Sequence, residues 1–539
     1  MYLAYDLKGV QSFIFSIPRL RHIVGGSALI DEFDRDIARN VISEGVELVF
    51  AGGGRGIYRC ENQNLADALK TKLVREAHQI GADIAVGCKQ SLTEAVHSGD
   101  ELYPYLPTGS ELSGHPCPES GLYPSKDGRP HPKVALRARK NHRFRFEDEQ
   151  LEKLRQTGLE QEFAFFRDVT PDAEFGEKDA LAAAHALGSR NRWAVIAMDG
   201  NDMGRQFREQ DALAETDPRY YEKWLKQASI VVDETVREAC SEAMRGVVIK
   251  WMESDDSSKA RGIEKTFLPV RPLVVGGDDV IVLCHTQYAF DFVKTVCSSF
   301  EKRMQSANEN WSKNDGRGRP LWPATNGKMT ISAGVLFCPV SLPLSTAMTY
   351  AESLLASAKM RGRLELERLE NGSIPAPACI DWEQVTEGVI DHPASRRQRD
   401  FRFIDGDANE VIELTRRPYT MDDFTKLEGI ASKYEKIPGT ILHQVPTAMR
   451  AGSNRRRLWL ARLGKRVDAY RELVDHLDDH HKSDDKKHKC RWFHEQEVSV
   501  NGNNYPAWST DVIDALLLLQ ETRRLDWQTV DEEDEPCNN

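Results

Sequence analysis

One order of predicted elements is written twice in this sequence, and that repetition constrains the fold more than any single motif. The first pass starts with strand-like "YLAYDL" and a turn leading into a helix, "VQSFIFSIPRLRHIVGGSALIDEFDRDIARNVI". Two apolar runs joined by a glycine-rich turn follow, "VELVFAGGGRGIYRC", then the helix "NLADALKTKLVREAHQI" and the strand "ADIAVGC". The second pass has a strand ending in a polar turn, "RWAVIAMDGNDMG", a helical stretch over about 217–250, and the paired runs "RPLVVGGDDVIVLCH". The helix "YAFDFVKTVCSSFEKRM", the strand "KMTISAGVLFCP" and the helix "PLSTAMTYAESLLASAKMRGR" complete it. Both passes read β, α, β-hairpin, α, β, with hydrophobic periods alternating between strand and helix values. The chain is expected to hold two copies of one α+β unit, over residues 1–110 and 191–372.

At 539 residues the sequence exceeds what one core organises, so further domains are expected. Residues 111–190 hold a Pro-, Gly- and Ser-dense stretch, "GHPCPESGLYPSKDGRPHPK", followed by the basic run "KVALRARKNHRFRF". They read as a loop-rich connector with helices. Residues 380–539 read as a mainly helical C-terminal domain with an acidic tail. The net charge of −12 excludes a uniformly cationic nucleic-acid coat, although local basic patches could still meet phosphate. The ten cysteines are scattered without a CxxC pair, which suits a reducing cytosol. No basic-then-apolar leader opens the chain, and no apolar run nears the ~18–20 residues that span a bilayer. A cytoplasmic protein without a membrane is the expectation. Neither a GxxxxGK[ST] loop nor a GxSxG elbow occurs.

The chemistry gathers around adjacent acids, Asp278 and Asp279, between runs that read as buried strands. A hairpin turn needs no second carboxylate. The strand of the same unit that ends in Asp199 would lie beside this hairpin and bring Asp199 against Asp278. Carboxylates so close repel unless a cation sits between them. Mg²⁺, or Mn²⁺ in its place, suits oxygen ligands shared with substrate phosphates, and a pair of such ions can activate a hydroxyl and stabilise leaving pyrophosphate. Asp199 and Asp278 are therefore the expected primary metal ligands, with Asp279 a ligand of a second ion or an aid to nucleophile activation. Gly276 and Gly277 allow a tight turn and leave room for a nucleotide close to the main chain.

"AMDGNDMG", "VGGDDV", "ISAGV" and "AESLLASAK" together resemble the second palm domain of the large subunit of type III CRISPR effector complexes. "VQSFIF", "IVGGSALIDEF" and "AGGGRGIY" are similar to its first palm, and "RRPYTMDDF" to its C-terminal domain. The resemblance implies two ferredoxin-like palm domains of the nucleotide cyclase and polymerase type, plus a C-terminal helical domain. It implies conversion of ATP to a cyclic oligoadenylate second messenger, in a complex with guide and target RNA and other effector subunits. Asp199, Asp278 and Asp279 would be the catalytic acids, with a first palm that has none and binds a second nucleotide. Gly25, Gly26 and Ser27, at a helix start, would meet phosphate or ribose, and Lys359 would contact phosphate. The start at the first palm without a His-Asp dipeptide removes the expectation of the nuclease domain many members carry. Asn201 stands where the family often has another acid. His115, Cys117, His131 and His142 fit no zinc spacing, and "DHLDDHHK" (475–482) reads as a polar loop. Lys133, Arg137, Arg139, Lys140, Arg143 and Arg145, or Arg455–Arg457, could contact RNA or form a solvated surface. Two rival readings remain: a stand-alone cyclic-nucleotide synthase independent of guide RNA, and an RNA-binding scaffold with a vestigial palm.

Overall fold

The computed structural model describes residues 1–17, 19–97, 101–105, 115–117, 124–125, 131–140, 163–164, 192–254, 266–368, 374–385, 391–405, 410–434, 437–451, 453–464, 493–500, 503–510 and 512–522. The first unit comprises β1 (Tyr2–Lys8), α1 (Val10–Phe15), α2 (Leu20–Glu32), the hairpin β2 (Val46–Gly52) and β3 (Arg55–Cys60), α3 (Gln63–Ile80), β4 (Asp83–Lys89) and β5 (Glu101–Tyr103). A helix of the connector, α4 (Pro132–Lys140), packs on α2. In the second unit β6 (Arg192–Gly200), α5 (Met203–Thr216) and α6 (Pro218–Met252) precede the hairpin β7 (Val270–Gly276) and β8 (Asp279–Cys284). The unit continues with α7 (Ala289–Asn314), β9 (Ile331–Pro339), α8 (Leu344–Arg368) and β10 (Cys379–Gln384).

The duplication expected from the sequence holds down to the register. The sheets run β2-β3-β1-β4-β5 and β7-β8-β6-β9-β10, the second extended by β13 (Tyr419–Thr420). In the first hairpin Val46 pairs with Cys60 and Gly52 with Arg55, the register shifting between Leu48 and Phe50. In the second Val270 pairs with Cys284 and Gly276 with Asp279, with the same shift between Pro272 and Val274. Gly52, Gly53, Gly54 and Arg55 therefore stand where Gly276, Gly277, Asp278 and Asp279 stand. Pro272 lies at the bulge of an edge strand, where its missing N–H costs least.

Each hairpin turn has its own reason. Gly53 and Gly54 both have positive φ, 64° and 81°, the signature of a type I′ turn. A β-carbon on Gly54 would also come within 2.8 Å of Val10 Cγ2. Below the turn Asp34, almost fully buried, accepts hydrogen bonds from Gly54 N at 2.7 Å and Tyr5 Oη at 3.0 Å. Burial pushes its carboxyl up to about 7, against the pull of those donors. The second turn needs positive φ only at Gly277, 60°, so a side chain fits at the next position, and there the sequence has Asp278.

The register also reveals an acid of the first unit at a position equivalent to one in the second. Asp6 pairs with Arg55 across β1 and β3, which makes it the counterpart of Asp199. Its charge is met by Lys8 at 2.6 Å and Arg55 at 3.3 Å. A cation of the chain itself thus occupies the position that Asp279 fills in the other unit.

In the C-terminal region helices α9 (Pro393–Asp400), α10 (Met421–Lys433) and α11 (Val512–Thr522) accompany a sheet that the helical reading did not anticipate. Its order is β11 (Arg402–Asp405), β12 (Glu410–Glu413), β15 (Asn503–Thr510), β14 (Phe493–Val500). Short strands separated by charged residues carry little periodic signal. Trp382 on β10 stacks on Tyr419 at 5.7 Å and meets Phe424 of α10 edge-on, so this region shares its core with the second unit. Among the described residues no helix is long and apolar enough to cross a membrane.

α8 lies backbone-close over β9 because Gly334 has no side chain. A β-carbon there would stand 2.3 Å from Ala351 O and Leu355 N. Gly334→Ala is expected to lower unfolding stability by about 1–3 kcal/mol through forced separation of helix and strand, measured by urea denaturation. Asp34 supplies a pH test. An unfolded-chain carboxyl ionises near 3.8 and the folded one near 7, so between these values the folded form holds the extra proton. Stability then falls as pH rises through that window. Asp34→Asn is expected to flatten this fall, its unfolding free energy gaining a few kcal/mol on the wild type between about pH 4 and pH 8. Parallel pH profiles for the two proteins would refute it.

Candidate nucleotide and metal site

The acids converge because of strand register. β8 pairs antiparallel with β6, Val280 opposite Met198, and one residue further Asp279 faces Asp199. Asp278, at the tip of the hairpin, leans over the end of β6. The smallness of Gly200 permits this, since a β-carbon there would lie 3.2 Å from Asp278 Oδ2. Around Gly276 and Gly277 the space is open, with no heavy atom within 4 Å of where a β-carbon would stand. A ligand can therefore approach the turn closely.

Crowding decides the electrostatics. Burial, and then the neighbouring Asp199 charge, holds the Asp278 carboxyl well above the usual carboxylate range. Asp279 opens to solvent yet is surrounded by enough protein that burial, Asp199 and Glu352 lift it to about 6, with Lys359 opposing. The ammonium of Lys359, from α8, forms an ion pair with Asp199 Oδ2 and donates to Gly200 O at 3.0 Å. Glu352 lies two turns before Lys359 on the same helix, and the sequence reading missed it. Its spacing of seven residues from Lys359 was the available signal.

Among the described residues no three His, Cys, Asp or Glu side chains are arranged to hold an ion by themselves. Two neighbouring carboxylates, one of them Asp278 held up by burial and by the Asp199 charge, do fit a hard divalent ion that takes its remaining ligands from substrate phosphates and water. Asp199 and Asp278 would hold such an ion, with Asp279 at its margin.

Nearby residues and the other expected ones have different occupations. Asp202 caps α5 from a left-handed conformation, φ 63°, and accepts from Ala376 N at 2.7 Å. Asn201 turns inward and donates to Thr330 Oγ1 at 2.8 Å and Ser332 Oγ at 3.0 Å, so it takes no part in an acid cluster. Gly25, Gly26 and Ser27 are corrected in context: they lie buried in the middle of α2, where backbone N–H groups are spent within the helix. A β-carbon on Gly25 would stand 1.9 Å from Arg137 O and one on Gly26 3.3 Å from Ile14 Cα. Those glycines seat α2 against α4 and α1. The helix-terminus contact expected of Ser27 has no helix terminus to use.

Half of the basic run is likewise structural. Arg137, 2% exposed, donates to Phe13 O and Ser16 Oγ at 2.8 Å and lies over the Phe13 ring. Lys133 caps α3 through His78 O at 2.9 Å, and Lys140 pairs with Glu32. Arg139 is exposed, while Arg143 and Arg145 lie outside the described residues. Cys117 and His131 are buried together, the His131 N–H donating to Cys117 Sγ at 3.4 Å. His115 lies on a two-residue strand. His142 and residues 475–482 fall outside the described residues. Arg455, with Arg456 and Arg457, lies on a helix over Ser453–Gly464, and Arg455 is exposed.

Residues 192–366, which carry every acid of the site, match the family model described as Cas10/Cmr2, second palm domain. No curated protein matches the chain in sequence. Similar solved structures include a Csm1–Csm4 cassette in complex with cA4, at 13% identity and TM-score 0.47, covering 97% of this chain and 70% of that one. Csm1 of T. onnurineus gives 13% and 0.43 with the same coverage. A Csm1–Csm4 cassette with AMPPNP gives 15% and 0.35, over 67% of this chain and 53% of that one. At such scores these structures are similar without deciding anything about the site. The family match speaks for its own segment: residues 192–366 are similar to the second palm domain of Cas10/Cmr2.

Proposed function

We propose that the protein is a metal-dependent nucleotidyltransferase that converts ATP to a cyclic oligoadenylate within a type III CRISPR effector complex. The observation carrying this reading is the meeting of Asp199, at a strand end, with Asp278, at the tip of the neighbouring hairpin, beside an open glycine turn and under Lys359. In the reaction a ribose 3′-hydroxyl attacks the α-phosphate of ATP, a 3′–5′ phosphodiester forms, the α–β bond breaks and pyrophosphate leaves. Bound Mg²⁺ or Mn²⁺ would neutralise the phosphate charge and acidify the attacking hydroxyl. Asp199 and Asp278 would hold the ion between a strand end and a hairpin turn. Asp279, lifted to about 6, suits a group that takes the hydroxyl proton near neutral pH. Lys359, released from Asp199 when a cation enters, would turn to the triphosphate. Guide and target RNA and other effector subunits are the proposed partners, consistent with the palm family of residues 192–366.

Incubation with ATP and Mg²⁺ or Mn²⁺, alone and with target RNA and partner subunits, tests the reading by mass spectrometry of the products. Asp278→Ala with Asp279→Ala is expected to reduce synthesis at least about 100-fold. Undiminished product from the double variant would sink the assignment. Lys359→Met is expected to tighten Mn²⁺ binding several-fold in calorimetry, because the ammonium no longer competes for Asp199, while raising the KM for ATP about tenfold.

A further inference from the structure

The two units meet through equivalent parts. α2 of the first packs on β7, the edge strand that leads to Gly276 and the acids, and α6 of the second packs on β2, the edge strand that leads to Gly52. Each hairpin is thus backed by the other unit's helix, which is the arrangement of an isologous dimer fused into one chain.

At the crossing of α2 and α6 lies a square of charges with the same two-fold character. Arg35, in a π-helical turn (Phe33–Ile37) that continues α2, meets Asp31 through Nε at 3.0 Å and Asp233 through Nη2 at 2.6 Å. Arg237 of α6 meets Asp233 through Nε at 3.0 Å and Asp31 through Nη2 at 2.6 Å. Each helix thus presents Asp and, four residues later, Arg, and each Arg bridges its own helix's acid to the partner's. Two of the side chains are largely withdrawn from water, Arg237 to 7% exposure and Asp31 to 14%, and Arg35 and Asp233 are half-buried. A bidentate guanidinium held on two acids fixes distance and angle together, which an apolar contact cannot do.

We propose that Asp31, Arg35, Asp233 and Arg237 form a positioning network that sets the register of one palm against the other, and through the backing helices sets the placement of the hairpin bearing Asp278 and Asp279. The four residues touch no reacting atom. Their effect on rate rests on the second palm being catalytic, but their effect on the hairpins does not.

Hydrogen exchange on the full-length protein reads the second effect directly. Arg35→Asp leaves three acids around one arginine, and it is expected to speed amide exchange in residues 270–276 and 46–52 while β9 keeps its protection. Adding Asp233→Arg places both acids on α2 and both arginines on α6, each still opposite its counter-charge, and is expected to restore slow exchange. Arg35→Gln, milder in charge, should show the same pattern more weakly if Arg35→Asp does not fold. In the synthesis assay Arg35→Asp should lower kcat about 10–100-fold with KM for ATP nearly unchanged, and the double variant should recover it. Unchanged exchange at both hairpins in Arg35→Asp and Arg35→Gln overturns the proposal, as does a double variant that folds without restoring protection. If the wild type makes no product under any condition, the enzymatic reading fails, and the exchange pattern still decides the network.

Discussion

Antiparallel pairing of β6 with β8 places Asp199 opposite Asp279 and brings Asp278 over the strand end, and the surroundings answer the charge this concentrates. Within the chain the answer is Lys359, carried by α8. Its reach depends on how closely that helix approaches the sheet, and the approach depends on Gly334 meeting the backbone of Ala351 and Leu355. Burial, and then carboxylate charge that one ammonium does not balance, keeps the Asp278 and Asp279 carboxyls raised. Excess negative charge beside open space is the character that the proposed cation and phosphate-bearing ligand would require.

The first unit shows how the same frame is closed to that chemistry. Asp6 keeps the place of Asp199, but Arg55 replaces the second acid and pairs with Asp6 directly. Gly54 replaces Asp278, and its positive φ and contact with Val10 leave no room for a side chain. The difference between the units is thus both one of charge and one of turn type. What remains common is the packing of helix on edge strand, through which each unit supports the other.

A second charged assembly ties the C-terminal region to the second sheet. Asp381 of β10 binds Arg397 at 2.5 and 2.8 Å, and Arg417 donates to Trp382 O at 2.6 Å. Asp514 of α11 accepts from Tyr419 Oη at 2.7 Å and from Thr415 Oγ1 and Arg416 N at 2.8 Å. Buried charges contribute little net stability, but removal of one partner strands the other in a low dielectric. Such a group therefore specifies how β10 and the C-terminal helices fit more than how tightly they hold.

Much of this was legible in the sequence where the signal is local. Alternating apolar residues, a Gly-Gly-Asp-Asp turn and repeated element order determined the two α+β units, their hairpins and the acids at the tip of the second, because turn chemistry and strand period act over a few neighbouring residues. Roles set by distant partners were not legible. Gly25 reads as a phosphate-loop glycine until Arg137 O is found against it, and Lys133, Arg137 and Lys140 read as a nucleic-acid surface until their carbonyl and carboxylate partners appear. Asp6 acquires its meaning only from pairing with Arg55, and Asp31 and Arg35 only from meeting Asp233 and Arg237 across some two hundred positions of sequence. The sequence by itself determined the order of elements in the two α+β units and the turn that carries Asp278 and Asp279, but not the C-terminal sheet. The tertiary structure decided which charges face one another, because Coulomb interactions and close backbone contacts depend on distance in space, which folding alone sets.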